Sequence, residues 1–228
     1  MAPLAVRHVF IGDVHGCLDE LEALIRKVRV GPADRVVFVG DLVAKGPDSA
    51  GVVACARELK ALSVRGNHDE AVLRIRRARK GGGGDLSRAK KTHLRVADSL
   101  CEADWRWLEP LPLWLSFPAF GSLVVHAGMV PGKPVSAQRP EDLMTMRTMR
   151  PDGHASPRLE DGLLWAKAYR GPERVIFGHD AITGFQREPF ALGLDTGCVY
   201  GRTLTALVLP NEELISVPAR RAYREIGQ

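Results

Sequence analysis

Five short apolar runs in this chain each end on a chemically capable side chain beside glycine, and this repetition constrains the fold more than any other feature. RHVFIG (7–12) runs into Asp13, Val14, His15 and Gly16, and RVVFVG (35–40) runs into Asp41. ALSV (61–64) leads to Arg65, Gly66, Asn67, His68 and Asp69, SLVVH (122–126) ends on His126, and RVIFG (174–178) precedes His179 and Asp180. The runs are continuous rather than alternating and rich in Val, Ile and Phe, so they read as strands covered on both faces. LTALVL (204–209) is a further strand, with shorter candidates at 190–194 and 214–217. Between the first two runs, Leu18, Leu21, Leu24, Ile25 and Val28 recur at helical spacing until Gly31 and Pro32 close the segment, and 48–60 also reads as a helix. Strand, helix, strand, helix, strand is the α/β signature. Ligands of such sheets collect at the carboxyl ends of strands, so the five ends are expected to converge.

The 228 residues read as one domain over 1–228, with a helical insertion at about 69–110 laid over one end of the core. Gly81 to Gly84 is expected to be a flexible hinge or loop inside it, and 132–160, rich in Pro, Met and Arg, a long loop with little regular structure. An apolar fraction of 45% with 26% charged residues excludes a wholly disordered chain. The four cysteines form no CxxC pair, which argues against a zinc ribbon or redox motif. MAPLAVRHVF is too short and too soon interrupted by Arg7 for a signal peptide, and no run of eighteen apolar residues exists. A cytoplasmic location without membrane contact is therefore expected. The net charge of +5 suits a nucleotide or another phosphorylated substrate, but Arg74 to Lys80 reads as a solvated helix face, and no stable nucleic-acid binding is expected.

At the strand ends, each residue type has a physical use. Asp13 and His15 are alternate residues of an extended segment and can grip one ion together. The two oxygens of Asp41 can bridge two ions, Asn67 offers an amide oxygen, and His126 and His179 offer imidazole nitrogens. Mixed nitrogen and oxygen donors without thiolate suit manganese, iron or zinc. Two such ions about 3.5–4 Å apart activate water and clamp both ends of an in-line displacement at phosphorus. Taken singly, a strand-end histidine or a Gly-Asp turn is ordinary; the concurrence of five is what points to a metal site.

The blocks Gly12-Asp13-Val14-His15-Gly16, Gly40-Asp41-Leu42-Val43, Gly66-Asn67-His68-Asp69, His126-Ala127-Gly128 and Gly178-His179 together resemble the calcineurin-like metallophosphoesterase superfamily. GDLVAKGPDS (40–49), WAKAYRGPERVIFGHDA (165–181), GLDTGCVYGRTLTALVLP (193–210) and the Met146-Arg147 pair are similar to the bacterial symmetrical diadenosine tetraphosphatases and ApaH-like phosphatases. The resemblance implies a four-layer αββα sandwich of two mixed β-sheets. It implies two divalent ions, manganese first, with iron or zinc as alternatives. Asp13, His15 and Asp41 would hold one, and Asp41, Asn67, His126 and His179 the other. His68 would donate a proton to the leaving oxygen, and phosphate binding falls to Lys45, Arg65 and Arg147. Hydroxide bridging the ions would attack a phosphoanhydride of diadenosine tetraphosphate and release ADP. A phosphoprotein phosphatase acting on Ser/Thr or Tyr, or a broad enzyme with both activities, is the alternative; a non-catalytic nucleotide-binding module is disfavoured because every ligand position is filled.

One departure stands out. The phosphoprotein phosphatases of the superfamily carry Asp-Arg where this chain has Ala44-Lys45, and Ala44 cannot orient His68. Asp69, Asp180 or a backbone carbonyl are the candidates for that task. Trp165, Tyr169 and Tyr200 read as core residues in preference to base-stacking ones, Lys167 and Arg170 as a weaker cationic cluster, and Asp195 as a turn residue near the site.

Overall fold

The computed structural model describes residues 6–82, 86, 87 and 89–226; the opening Met1 to Ala5, and Gly83 and Gly84 of the expected hinge at Gly81 to Gly84, lie outside the described residues. In chain order the elements are β1 (His8–Ile11), α1 (Leu18–Val28), β2 (Arg35–Phe38), α2 (Ser49–Glu58), β3 (Leu62–Ser63), α3 (Asn67–Arg77), α4 (Lys91–Ser99), α5 (Glu102–Leu108), β4 (Trp114–Phe117), β5 (Ser122–Val125) and α6 (Pro140–Thr145). They continue with β6 (Thr148–Met149), β7 (Ala155–Ser156), β8 (Leu163–Leu164), α7 (Trp165–Ala168), β9 (Arg174–Phe177), β10 (Gln186–Glu188), β11 (Ala191–Gly193), β12 (Thr203–Leu209) and β13 (Glu213–Pro218).

Two mixed five-stranded sheets form, ordered β13-β12-β1-β2-β3 and β10-β11-β9-β5-β4. β1, β2 and β3 run parallel, as do β5, β9 and β11, while the flanking strands are antiparallel. The continuous apolar runs follow from this arrangement, because each central strand is covered on both faces. Phe10, Val37 and Val39 point into the layer between the sheets, where they meet Val124, Ile176 and Leu192. Their neighbours Val9, Ile11, Val36 and Phe38 point outward, against Leu21 and Leu24 of α1 and Val52 and Val53 of α2. On the far side, Leu123, Val125, Val175 and Phe177 pack against Trp165, Tyr169, Met129 and Met146. This period-two division between layers gives the expected four-layer order of cover, sheet, sheet, cover.

Within 69–110, Val72, Leu73 and Ile75 of α3, Val96 and Ala97 of α4, and Trp105 and Leu108 of α5 are buried in the same cluster as the outer face of the first sheet. The segment 132–160 departs from expectation: it contains α6, and β6 pairs with both β7 and β8 in a small third sheet. Strands of two residues are too short to show a period-two pattern. β4 was also not anticipated, because it is a half-exposed edge strand directly after a proline-containing turn.

Candidate active site

The carboxyl ends of β1, β2, β3, β5 and β9 deliver the expected side chains to one edge of the two sheets. The backbone there is unusual: His15, Asp41, Ala44, Lys45 and His179 have φ of 48°, 51°, 70°, 66° and 70°. Left-handed conformations of this kind cost about 1–3 kcal/mol each outside glycine and persist where the surroundings over-determine them. Here they are over-determined. His15 N–H donates to Asp41 O at 2.9 Å and Gly16 N–H to Leu42 O at 2.8 Å. His179 N–H donates to both Asp13 oxygens at 3.1 Å, and His68 N–H to Asp41 Oδ1 at 2.9 Å. Two glycines permit the approach: a Cβ on Gly66 would collide with Asp41 Oδ1, and one on Gly178 with Asp13 Oδ1.

The structure brings all six expected metal ligands together. The donor atoms of Asp13, His15 and Asp41 lie within 4.8 Å of one another, as do those of Asp41, His126 and His179. Asp41 belongs to both groups, its Oδ2 lying 3.5 Å from His15 Nε2 and 3.4 Å from His126 Nε2. Each imidazole is anchored through its other nitrogen to a backbone carbonyl. His15 Nδ1 donates to Val43 O at 3.2 Å, His126 Nδ1 to Val39 O at 2.9 Å, and His179 Nε2 to Thr145 O at 3.1 Å. Anchoring of this sort fixes tautomer and ring orientation and turns the second nitrogen towards an ion.

Buried carboxylates crowd negative charge together at the edge. Burial pushes the Asp13 carboxyl well above the usual range, with Asp195 adding to the effect. Burial, then Asp41, pushes Asp69 up to about 7, and burial pushes Asp195 up to about 6. Asp41 is the exception: burial opposes its charge, but His126, His68 and His15 hold it well below the usual range. Burial likewise opposes charge on His126, yet Asp41 beside it pushes the ring up to about 10. His15 and His179 lie well below the usual imidazole value through burial, reinforced by Lys45 and His126 respectively. A neutral His179 that donates from Nε2 presents a lone pair at Nδ1, and this faces Asn67 Oδ1 at 3.0 Å. Two lone pairs so placed are an arrangement that a cation relieves. The Lys45 ammonium already donates to His15 Nε2 at 2.9 Å. The donors are therefore of the right kind and number, and nitrogen and oxygen donors without thiolate suit the metals named above.

A cleft of about 540 Å³ opens over these groups, lined by Asn67, His68, His179, Lys45 and Arg147 among others. Lys45 Nζ also sits 5.3 Å from the Tyr200 ring centroid. The Arg147 guanidinium donates to Pro157 O at 2.9 Å and approaches Asp180 Oδ1 at 3.4 Å. Arg65 is not brought to the cleft. Its guanidinium pairs with Glu70 at 3.0 Å and donates to Glu109 O at 2.9 Å, which gives it a structural role in place of the expected phosphate contact. Trp165 is buried and donates to Ala127 O at 3.0 Å, and Tyr169 is buried beside it, so only Tyr200 of the three aromatic candidates faces the cleft. Arg170 folds back on the carbonyls of Lys167 and Tyr169.

Among the described residues, none of the expected orienting groups reaches the His68 ring through a hydrogen bond. Asp69 accepts from the backbone of Asp41, Gly66, Leu42 and Val43, and so braces the β2 and β3 ends against each other. Asp180 is occupied by Thr183, Gln186 and Arg147. His68 Nδ1 instead shares a 2.9 Å hydrogen bond with His93 Nε2. Sequence reasoning missed His93, although a signal existed: His93, Val96, Ala97 and Leu100 fall at i, i+3, i+4 and i+7, which places a histidine on the buried face of α4. Lys90, Lys91 and Arg224 also line the cleft and were not singled out.

Fold and site together define a phosphoesterase of the metal-dependent kind, and the sequence agrees: residues 6–205 match the model of the calcineurin-like phosphoesterase family. The chain belongs to that family. It is similar to a bis(5'-nucleosyl)-tetraphosphatase PrpE, asymmetrical, from Bacillus subtilis (strain 168), at 32% identity over 94% of this chain and 96% of the relative. A symmetrical bis(5'-nucleosyl)-tetraphosphatase from Shewanella sp. (strain ANA-3) is 27% identical over 92% of this chain and 97% of that protein. The crystal structure of a proposed diadenosine tetraphosphatase superposes with a TM-score of 0.84 at 40% identity, covering 96% of each chain. A Saccharomyces cerevisiae serine/threonine phosphatase, at TM-score 0.56 and 20% identity over 94% of this chain and 79% of that one, shares the fold. No helix among the described residues is long and apolar enough to cross a membrane.

Proposed function

We propose that this hydrolase cleaves a phosphoanhydride bond of bis(5'-nucleosyl) tetraphosphates with the help of two divalent ions, manganese first. The observation that carries the reading is the shared Asp41 carboxylate, set between two buried donor groups whose imidazoles are each anchored on a backbone carbonyl. Bound there, the ions would supply activated water at neutral pH and neutralise charge on the phosphorus oxygens. Asp13, His15 and Asp41 would hold one ion, and Asp41, Asn67, His126 and His179 the other.

The remaining steps belong to this chain's own side chains. Lys45 and Arg147 face the cleft and place positive charge where the equatorial oxygens gather charge in the transition state. His68, at the first turn of α3 and also in the cleft, would pass a proton to the departing oxygen. Departure is easy for a nucleoside diphosphate and hard for a serine alkoxide, which favours the anhydride over a phosphoprotein. In the symmetrical reading the products are two molecules of ADP. An asymmetrical split to ATP and AMP is the second reading, favoured by the names of the relatives at 30–32% identity.

Chromatography of the products from diadenosine tetraphosphate, with manganese present, tests both. ADP alone supports the symmetrical cut, and equimolar ATP and AMP the asymmetrical one. No turnover of the dinucleotide beside rapid hydrolysis of a phosphopeptide would reject the substrate class.

A further inference from the structure

We infer that His93 is the positioning residue for His68, an imidazole taking the place of the carboxylate that position 44 lacks. The inference rests on the phosphoesterase reading of the site and adds a residue from outside the strand ends. His68 Nδ1 and His93 Nε2 are 2.9 Å apart, and the two rings sit 5.1 Å apart at 57°. His93 is 7% exposed and arrives on α4, which packs against α3, the helix that begins at Asn67 and His68. The neighbouring carboxylates are engaged elsewhere: Asp69 with backbone N–H groups, Asp180 with Thr183 and Gln186. With Nδ1 taken, Nε2 is the ring atom that His68 has left to turn towards substrate in the cleft.

The chemical identity of the partner matters. A carboxylate would orient the ring and also draw positive charge onto it. An imidazole orients the ring by donating to Nδ1 or accepting from it, without adding a negative charge. His68 is thus fixed in direction, with Nε2 turned to the cleft, and loss of that direction should be felt most by the substrate whose leaving oxygen most needs a proton.

The test compares His93→Gln, which keeps a hydrogen-bonding group at similar reach, with His93→Met, which has similar length but no strong donor or acceptor. Both fit a buried position of this volume. Turnover of 4-nitrophenyl phosphate and phenyl phosphate is measured with saturating manganese, alongside manganese affinity. General acid assistance contributes about 100-fold or more where it is needed. The expected result is a loss of at least about tenfold in kcat on phenyl phosphate for His93→Met, and less than about threefold on 4-nitrophenyl phosphate. KM and manganese affinity stay unchanged, His93→Gln recovers most of the loss, and His68→Ala combined with His93→Met is no slower than His68→Ala alone. Equal losses on both esters, or a double variant slower than His68→Ala, would overturn the inference and assign His93 to packing of α4 on α3. The aryl esters read His93 whether or not a dinucleotide is the substrate. Failure of the dinucleotide reading shows separately, as unaltered enzyme that leaves diadenosine tetraphosphate intact.

Discussion

The floor of the cleft and its walls are built differently. Floor residues sit at strand ends, are buried or, for His179, partly buried, and are held by backbone hydrogen bonds across both sheets: Asp13 by His179 N–H, Asp41 by His68 N–H, and each ligand imidazole by a carbonyl. Wall residues come from α4, from the turn after α6 and from the C-terminal segment, and side-chain contacts across loops hold them, as Pro157 O and Asp180 hold Arg147. Arg224 N–H donates to Val199 O at 3.2 Å, and the preceding Tyr223 is held by Glu20 Oε1 at 2.9 Å, by Val199 O at 2.9 Å and by packing on the first core cluster. The floor therefore has one geometry and one chemistry. If the identity of the substrate resides in the walls, changes there should alter the ranking of substrates and leave metal binding intact.

This contrast can be broken or sharpened by experiment, starting with the floor. Asp41→Asn removes the shared charge, and hydrolysis of every phosphate substrate should fall at least about 100-fold with loss of metal, since the proposed ions would supply several kcal/mol of charge stabilisation. Parallel metal analysis and assays on two unrelated substrates check this; a loss confined to one substrate would erase the division between floor and walls. Arg147→Ala, a wall change, should cost about 1.5–3 kcal/mol, the scale of a hydrogen bond to a charged group, in kcat/KM. Unchanged manganese binding is the expected companion result. Gly66→Ala forces a methyl group against Asp41 and should destabilise the protein by about 1–3 kcal/mol, read by denaturant unfolding with and without manganese. Lys45→Arg should retain hydrolysis within about tenfold while changing the ranking of substrates, because a planar fork replaces a point charge.

The smallest effect concerns the anchorage of a wall. Burial, and then the hydrogen bond to Glu20, push the Tyr223 hydroxyl from 10.0 up to about 12. Its folded-state value is raised, so its contribution to stability is full below pH 10 and is lost as pH rises through about 12. Tyr223→Phe should flatten the stability curve in that window, as thermal unfolding at several alkaline pH values would show. An unchanged slope would detach the tail from Glu20.

The same contrast explains what could be read from the sequence. Floor residues were legible because each follows an apolar run covered on both faces, and a polar group beside glycine interrupts such a run conspicuously. Their convergence followed from the rule for carboxyl ends of strands, and the third small sheet did not, because two-residue strands carry no period. Arg65 looked like a phosphate ligand because it stands next to Gly66 and Asn67. Its side chain was taken by Glu70, one turn into α3, and by a carbonyl at Glu109, a contact between segments far apart in the chain. His93 is 25 residues beyond His68, and only the packing of α4 on α3 joins them. Cys17, Glu20 and Cys198 make the same point, since their donor atoms lie within 4.8 Å although no CxxC spacing exists. Helical spacing marks His93 as buried, but no local pattern names the partner that a distant segment brings to it.

In the proposed reaction, the donor groups on either side of Asp41 would each hold one metal ion. The most direct measurement is the manganese content of the protein after equilibrium dialysis, taken together with turnover as the metal is titrated back into chelated enzyme. Two ions per chain, with activity rising only as the second site fills and both lost in Asp41→Asn, is the predicted result. Full turnover with a single ion bound, or in the chelated protein, would contradict it.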